Sequence, residues 1–230
     1  MNFESRRGRV VFWIVGVVLL VGVVASTAHM QEFLYRPHLN ETLYLPSGRL
    51  LDHLSLGYRQ VVADFVWFSA VQYYGDYRKG KHSLAYFEGL MNIVTTLDPN
   101  FVFAYVFTAW VLSEDLGEFD SGINMLRMGM KNNPTSWELP FEIGFLNFTN
   151  RADFELAGRY LELSSRMPGA PERAKRFAAF VYSKAGETES SIRLWEAYRE
   201  YTDNPYLREM ADRYIERLRR GETIPGSVSK

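Results

Sequence analysis

The chain has 230 residues, 47% of them hydrophobic and 15% aromatic, which is enough apolar material for a sizeable core and excludes disorder by composition. A formal charge of −1 provides no global attraction for phosphate and argues against nucleic acid as a partner. The absence of cysteine excludes disulfides, thiolate metal sites, a cysteine nucleophile and a lipoprotein cysteine.

Residues 1–9 form a basic flank, with Arg6, Arg7 and Arg9 against Glu4, and an uncharged run from Val10 to Ala28 follows. Nineteen residues at about 1.5 Å each cover about 28 Å, close to the ~30 Å hydrocarbon core, so 10–28 reads as one transmembrane signal-anchor helix. The arginines then stay cytoplasmic, and the remainder lies across the membrane. Ser26, Thr27 and Ala28 also offer a peptidase site, but the length of the run favours an anchor over a cleaved signal peptide.

Residues 29–53 hold two prolines and a glycine without sustained helical period, and read as a linker or docking arm. From Leu54 apolar residues recur at three and four spacing as far as Tyr77. A break at "RKGKHS" and a second helix from Leu84 to Leu97 complete an atypical first hairpin over 54–99. In "TTLDPNFVFAYVFTAW", residues 95–110, Pro99 ends one helix and Asn100 is placed to cap the next.

Proline recurs at 99, 134, 168 and 205, with two helical stretches between successive prolines. A helix, a turn and a helix at a period near 34 predict stacked helical hairpins. In "GEFDSGINMLRMGMKNNP", Gly117 sits at the turn, Gly122 and Gly129 take small helix-contact positions, Leu126 the large apolar one and Pro134 the end. Ala109 is small where expected, but Trp110 is bulky where Gly or Ala is usual. The next unit has Ile143 and Gly144, then Ala157 and Leu161, and ends at Pro168. The third has Ala179, Tyr182, Gly186, Ser191, Trp195 and Tyr198.

These positions resemble the tetratricopeptide repeat family over 100–205, and more loosely over 54–99. The resemblance implies an all-α, right-handed superhelix of helix pairs, sealed by a capping helix at 206–220 and followed by a mobile tail at 221–230. Residues 44–77, "YLPSGRLLDHLSLGYRQVVADFVWFSAVQYYGDY", resemble the opening of bacterial single-span tetratricopeptide proteins. That likeness implies a bacterial inner-membrane protein with a cytoplasmic N-terminus and a periplasmic helical domain.

Reactive constellations are sparse. His29, His38, His53 and His82 have no partner at metal-ligand spacing, and no Walker loop, dinucleotide fingerprint or nucleophile elbow is present. The acidic run "SEDLGEFD", 113–120, lacks calcium-loop spacing and reads as a solvated turn. Glu138 and Glu142 share a helix face, where repulsion raises a carboxyl pKa, but no enclosed polar pocket accompanies them. The expectation is therefore a non-enzyme without cofactor or metal.

The resemblance places the first helix of each pair along a concave groove. In that register the groove carries Phe107, Val111, Phe141, Phe145, Phe148, Phe177 and Phe180, with Arg173, Arg176 and Lys184 toward one end. An apolar floor with a basic end suits an extended peptide or a helix bearing an acidic group. Such side chains also serve as packing between hairpins, and the aromatic helix at 54–77 could fold into the groove or rest on the membrane. The functional expectation is a membrane-anchored scaffold for a protein partner in an envelope complex. The alternatives are an accessory subunit of a larger membrane complex and an enzyme or small-ligand-binding periplasmic domain.

Overall fold

The computed structural model describes residues 13–18, 21–22 and 48–224. Residues 13–18 and 21–22 are helical, and the apolar side chains given there are exposed. Most of the expected 10–28 span, like the flank at 1–9 and the arm at 29–47, lies outside the described residues. No helix among the described residues is long and apolar enough to cross a membrane.

From Gly48 onward the fold is built from helices α1 Gly48–Leu54, α2 Arg59–Arg78, α3 Phe87–Leu97, α4 Val102–Trp110, α5 Phe119–Asn132, α6 Glu138–Leu146, α7 Phe154–Ser165, α8 Glu172–Lys184, α9 Thr188–Tyr201 and α10 Pro205–Arg219. Among the described residues there is no strand, and consecutive helices pack against one another in a solenoid-like series. Two boundaries differ from the sequence reading. Residues 48–53 belong to a short helix, α1, because Leu51 packs onto the first hairpin's core. The aromatic helix starts at Arg59 instead of Leu54, after a turn closed by Tyr58 N–H donating to the Ser55 carbonyl at 2.8 Å.

Small residues mark the joints. A Cβ built on Gly122 of α5 would lie 2.8 Å from the Ala109 carbonyl oxygen of α4, and one on Gly129 would lie 2.8 Å from the Tyr105 ring and 3.0 Å from Leu139 of α6. On Gly144 of α6 it would meet Leu161 of α7 at 2.7 Å and the Ala157 carbonyl oxygen at 2.9 Å. On Gly158 of α7 it would meet the Tyr182 ring of α8 at 2.8 Å. Each of the four successive joints from α4 to α8 therefore has a glycine where the partner comes closest. Trp110 does not wedge its own hairpin open: its ring points to the next unit, 5.5 Å from Phe145.

The turns repeat as well. Backbone in the left-handed region recurs at Gly80, Gly117, Ala152, Gly186 and Gly221, at intervals of 37, 35, 34 and 35 residues, each following the first helix of a pair or α10. In the pairs α4/α5 and α6/α7 a π-helical turn, Val111–Asp115 or Asn147–Arg151, carries the first helix up to this residue. The late proline is also explained, since Pro205 opens α10 at its first turn, whereas Pro99, Pro134 and Pro168 lie just past α3, α5 and α7.

At the Pro99 corner the expected cap is replaced. Phe101, not Asn100, occupies the N-cap of α4 without a side-chain cap, and the Asp98 carboxylate instead accepts the Asn100 N–H at 3.1 Å. The Pro99 carbonyl accepts from Tyr105 Oη at 3.1 Å and from Asn133 Nδ2 at 2.8 Å, tying one corner to the next. The tail is likewise docked at its start, with Ile224 buried and its carbonyl accepting from Lys184 Nζ at 3.4 Å, while 225–230 lie outside the described residues.

Two substitutions test these joints by urea unfolding. Gly144→Ala should destabilise the domain by about 1–3 kcal/mol, because backbone as well as side chain stands in the way of the new methyl group. Ala152→Gly should stabilise it by about 0.5–1 kcal/mol, by relieving a φ of +52° on a residue with a Cβ.

Candidate functional site

The residues expected to line one groove fall into three environments. Phe107 is enclosed by the first hairpin, with ring centroids 5.4 Å from Trp67, 5.2 Å from Tyr74 and 5.7 Å from Phe87. Val111 is only 2% exposed, in the core that α2 and α3 share with α4, so it offers no surface to a partner. The aromatic α2 thus packs over this end of the series, using the face that carries Trp67 and Tyr74. Phe103, one turn before Phe107, stays 57% exposed beside Trp67.

Farther along, the structure brings the phenylalanines together in one seam. Phe145 of α6 lies 5.5 Å from Trp110 of α4 and 5.8 Å from Phe177 of α8, and Phe177 lies 6.0 Å from Phe141 and 5.2 Å from Phe148. Phe148 also approaches Phe180 at 6.1 Å and Phe154 at 5.7 Å. The four-residue spacing of Phe141 and Phe145 sets their rings on one face of α6, almost parallel at 14°. Phe141, Phe145, Phe148, Phe177 and Phe180 are all partly buried: they pack between α6, with the turn that follows it, and α8, and keep one edge in solvent.

The three basic residues all lie on α8 but are spread along its length. Arg173 and Arg176 sit in the first turns of α8, over the rings of Trp137 and Tyr198 at 5.9 and 5.7 Å. Lys184 is the last residue of α8, about 16 Å farther along the axis at 1.5 Å per residue. Its Nζ lies 5.3 Å from the Phe180 ring. Arg176 Nε is buried without a hydrogen-bond partner among the described residues.

One polar pair in the seam escaped the sequence reading. Trp110 Nε1–H donates to Glu142 Oε2 at 2.9 Å, joining α4 to α6, with Arg173 of α8 acting on the same carboxylate by charge. Burial pushes the Glu142 carboxyl above its ordinary value, opposed by the Trp110 hydrogen bond and by Arg173. The bulky Trp110 at a small position was its only signal. Glu138 is occupied differently, accepting from Ser136 Oγ at 2.7 Å, so the two glutamates do not act as a pair.

The acidic run 113–120 is likewise built into tertiary contacts, not merely solvated. Asp115 accepts from Tyr74 Oη and Arg78 Nη1, both at 3.0 Å, Glu114 accepts from Asn150 Nδ2 at 2.7 Å, and Asp120 pairs with Arg151 at 2.8 Å. Among the described residues no three His, Asp or Glu side chains group as metal ligands. His82 stacks on Tyr73 at 4.1 Å, His53 lies in the last turn of α1, and His29 and His38 lie outside the described residues.

Glu142 supplies a pH test. Because its folded-state pKa is raised, the carboxyl favours the folded state most when protonated, and that contribution is lost as pH climbs from 4.5, its ordinary value, through the raised one. Gln keeps an acceptor for Trp110 and cannot ionise. Relative to wild type, Glu142→Gln should gain stability across that interval and level off above it, as read by urea midpoints over a pH series. A constant difference would show that Glu142 does not titrate there.

Compared with known proteins, the chain matches no protein-family model, and a search among curated proteins returns no match.

Proposed function

We propose that this chain is a membrane-anchored scaffold of the tetratricopeptide type, whose first helices form a docking face for a protein partner. The carrying observation is the continuous aromatic seam from Trp110 through Phe145 and Phe177 to Phe180, with partly buried rings along successive first helices and Arg173 and Arg176 at its edge. In a right-handed tetratricopeptide stack this face is concave, and a partner helix or extended peptide laid there gains apolar burial from the rings and an ion pair for an acidic group. The glycine joints and the near-constant turn interval support that stack.

The apolar run 10–28 serves in this reading as the anchor of a bacterial inner-membrane protein, with Arg6, Arg7 and Arg9 cytoplasmic and the helical domain periplasmic. Confinement to the membrane raises the effective concentration of neighbouring envelope subunits without any added contact. No step of the proposal requires a cofactor or a metal.

In-cell crosslinking of the full chain, followed by purification in mild detergent, tests the reading. Wild type should bring down a defined partner. Phe141→Ala with Phe145→Ala should lower its yield by about tenfold or more, the effect of losing two ring contacts of ~1 kcal/mol each. Because those rings also join α6 to α8, Arg173→Gln serves as the companion that leaves them in place: the side chain is exposed, and losing its charge should weaken capture of an acidic group while leaving the circular dichroism unchanged. Undiminished capture by both folded variants would remove the seam as the docking face.

A further inference from the structure

The aromatic helix α2 has two apolar faces and uses only one of them within the domain. Ala63, Val66 and Ala70 are buried against α3, with Trp67, Tyr74 and Tyr77 packed beside them. On the other side Val61, Phe65 and Phe68 are each about half exposed, and Tyr58 just ahead of them is 71% exposed. At 3.6 residues per turn these four side chains fall within about 80° of one another, forming a single stripe. Ahead of the stripe, Leu56 is 86% exposed. It occupies, with Gly57, the centre of a turn that has φ of 49° and 92° at those two residues and a hydrogen bond from Tyr58 N–H to the Ser55 carbonyl. Such turns favour Asn, Asp or Gly at their first central position, so a leucine there spends conformational energy to hold an apolar side chain in the open.

What covers this stripe follows from its place in the chain and from its size. Nineteen residues separate Ala28, the end of the apolar run, from Gly48, so α1 and α2 are, among the described elements of the domain, the nearest in sequence to a membrane anchor at 10–28. The stripe is about 15 Å long and one helix wide, well short of the ~800 Å² that each partner covers in a stable protein pair. It is suited instead to a surface that requires little specificity. Phe, Tyr, Leu and Val contribute apolar area and an aromatic ring at the headgroup level, and the helix satisfies its own backbone. The exposed cations Arg59 and Lys79 lie at the two ends of α2, Lys79 paired with Asp76 at 3.6 Å, and Asp64 and Gln72 border the stripe.

We infer that the Leu56 turn and the outer face of α2 rest in the headgroup interface of the bilayer that anchors the chain. This deepens the membrane-anchored reading and rests on it. With this contact the first hairpin is held against the membrane, and the aromatic seam on α4, α6 and α8 is presented at a fixed height above it.

The cysteine-free sequence makes the test direct, because any introduced cysteine is unique. The full chain is reconstituted into vesicles of phosphatidylethanolamine with a minority of phosphatidylglycerol. A bimane label is placed in turn at Val61→Cys, Phe68→Cys, Arg127→Cys and Val15→Cys, and its fluorescence is measured with shallow and deep nitroxide lipids. Labels at 61 and 68 should be quenched by shallow nitroxides at least about twofold more than the label at 127, as expected of a face set ~5–10 Å into the interface. The label at 15 reports the anchor separately, through deep quenching. Quenching at 15 without quenching at 61 and 68 overturns the inference and leaves the anchor standing. Quenching at 61 and 68 without quenching at 15 removes the anchor and retains the interfacial face. If 61 and 68 are shielded from lipid and Phe68→Cys forms a disulfide between copies, the stripe is a dimer contact and the inference fails.

Discussion

How closely neighbouring helices approach governs the rest of this structure. At Gly122, Gly129, Gly144 and Gly158 the backbone of one helix comes so near its neighbour that a single methyl group would collide with backbone or ring atoms. Helices held at that separation cannot be spaced by large side chains, so the bulky residues are displaced to the flanks of each joint. Tyr105, Leu126, Leu139, Leu146 and Leu161 fill the interior, while the phenylalanines of α6 and α8 are left at the outer edge and meet as a seam. The candidate docking face is therefore a by-product of the joints as much as a separately built feature.

Polar ties reinforce the same geometry from pair to pair. The Asn133 side chain reaches back to the Pro99 carbonyl, Asn150 to Glu114 and Arg151 to Asp120, each linking corresponding regions of consecutive pairs. The most enclosed tie is Glu162 on α7, which accepts from Tyr182 Oη at 2.8 Å and from Arg193 Nη2 at 3.1 Å, with Arg166 bound to the same carboxylate. Burial and the adjoining carboxylate push the Tyr182 hydroxyl up to about 12, so it remains a donor throughout the physiological range. Three helices, α7, α8 and α9, are held in register by one side chain.

Much of this was legible in the sequence because the joints need particular residue types. Gly122, Gly129 and Gly144 stand at the small positions that a close crossing requires, and Ala157, Ala179, Ser191, Trp195 and Tyr198 are buried where the repeat register puts them. Long-range relations were harder to read. Nothing local in Asp115 announces Tyr74 and Arg78, some forty residues earlier, and Glu142 looked like a member of an acidic pair until Trp110 was found beside it. Ala152 hid a turn because the left-handed residue there is not glycine. Val111 and Phe107 have the right period for a groove. Burial by the first hairpin is a tertiary event that periodicity on α4 cannot encode.

The left-handed residue at Gly221 is spaced after α10 as Gly117, Ala152 and Gly186 are spaced after the first helices before it. Helix α10 thus ends, like the first helices before it, in a left-handed reversal of the chain. Extending such an array calls for copying a segment of about 34 residues in phase with the others, without redesigning any interior contact. An array built this way lengthens by whole units, each added unit touching only its neighbour.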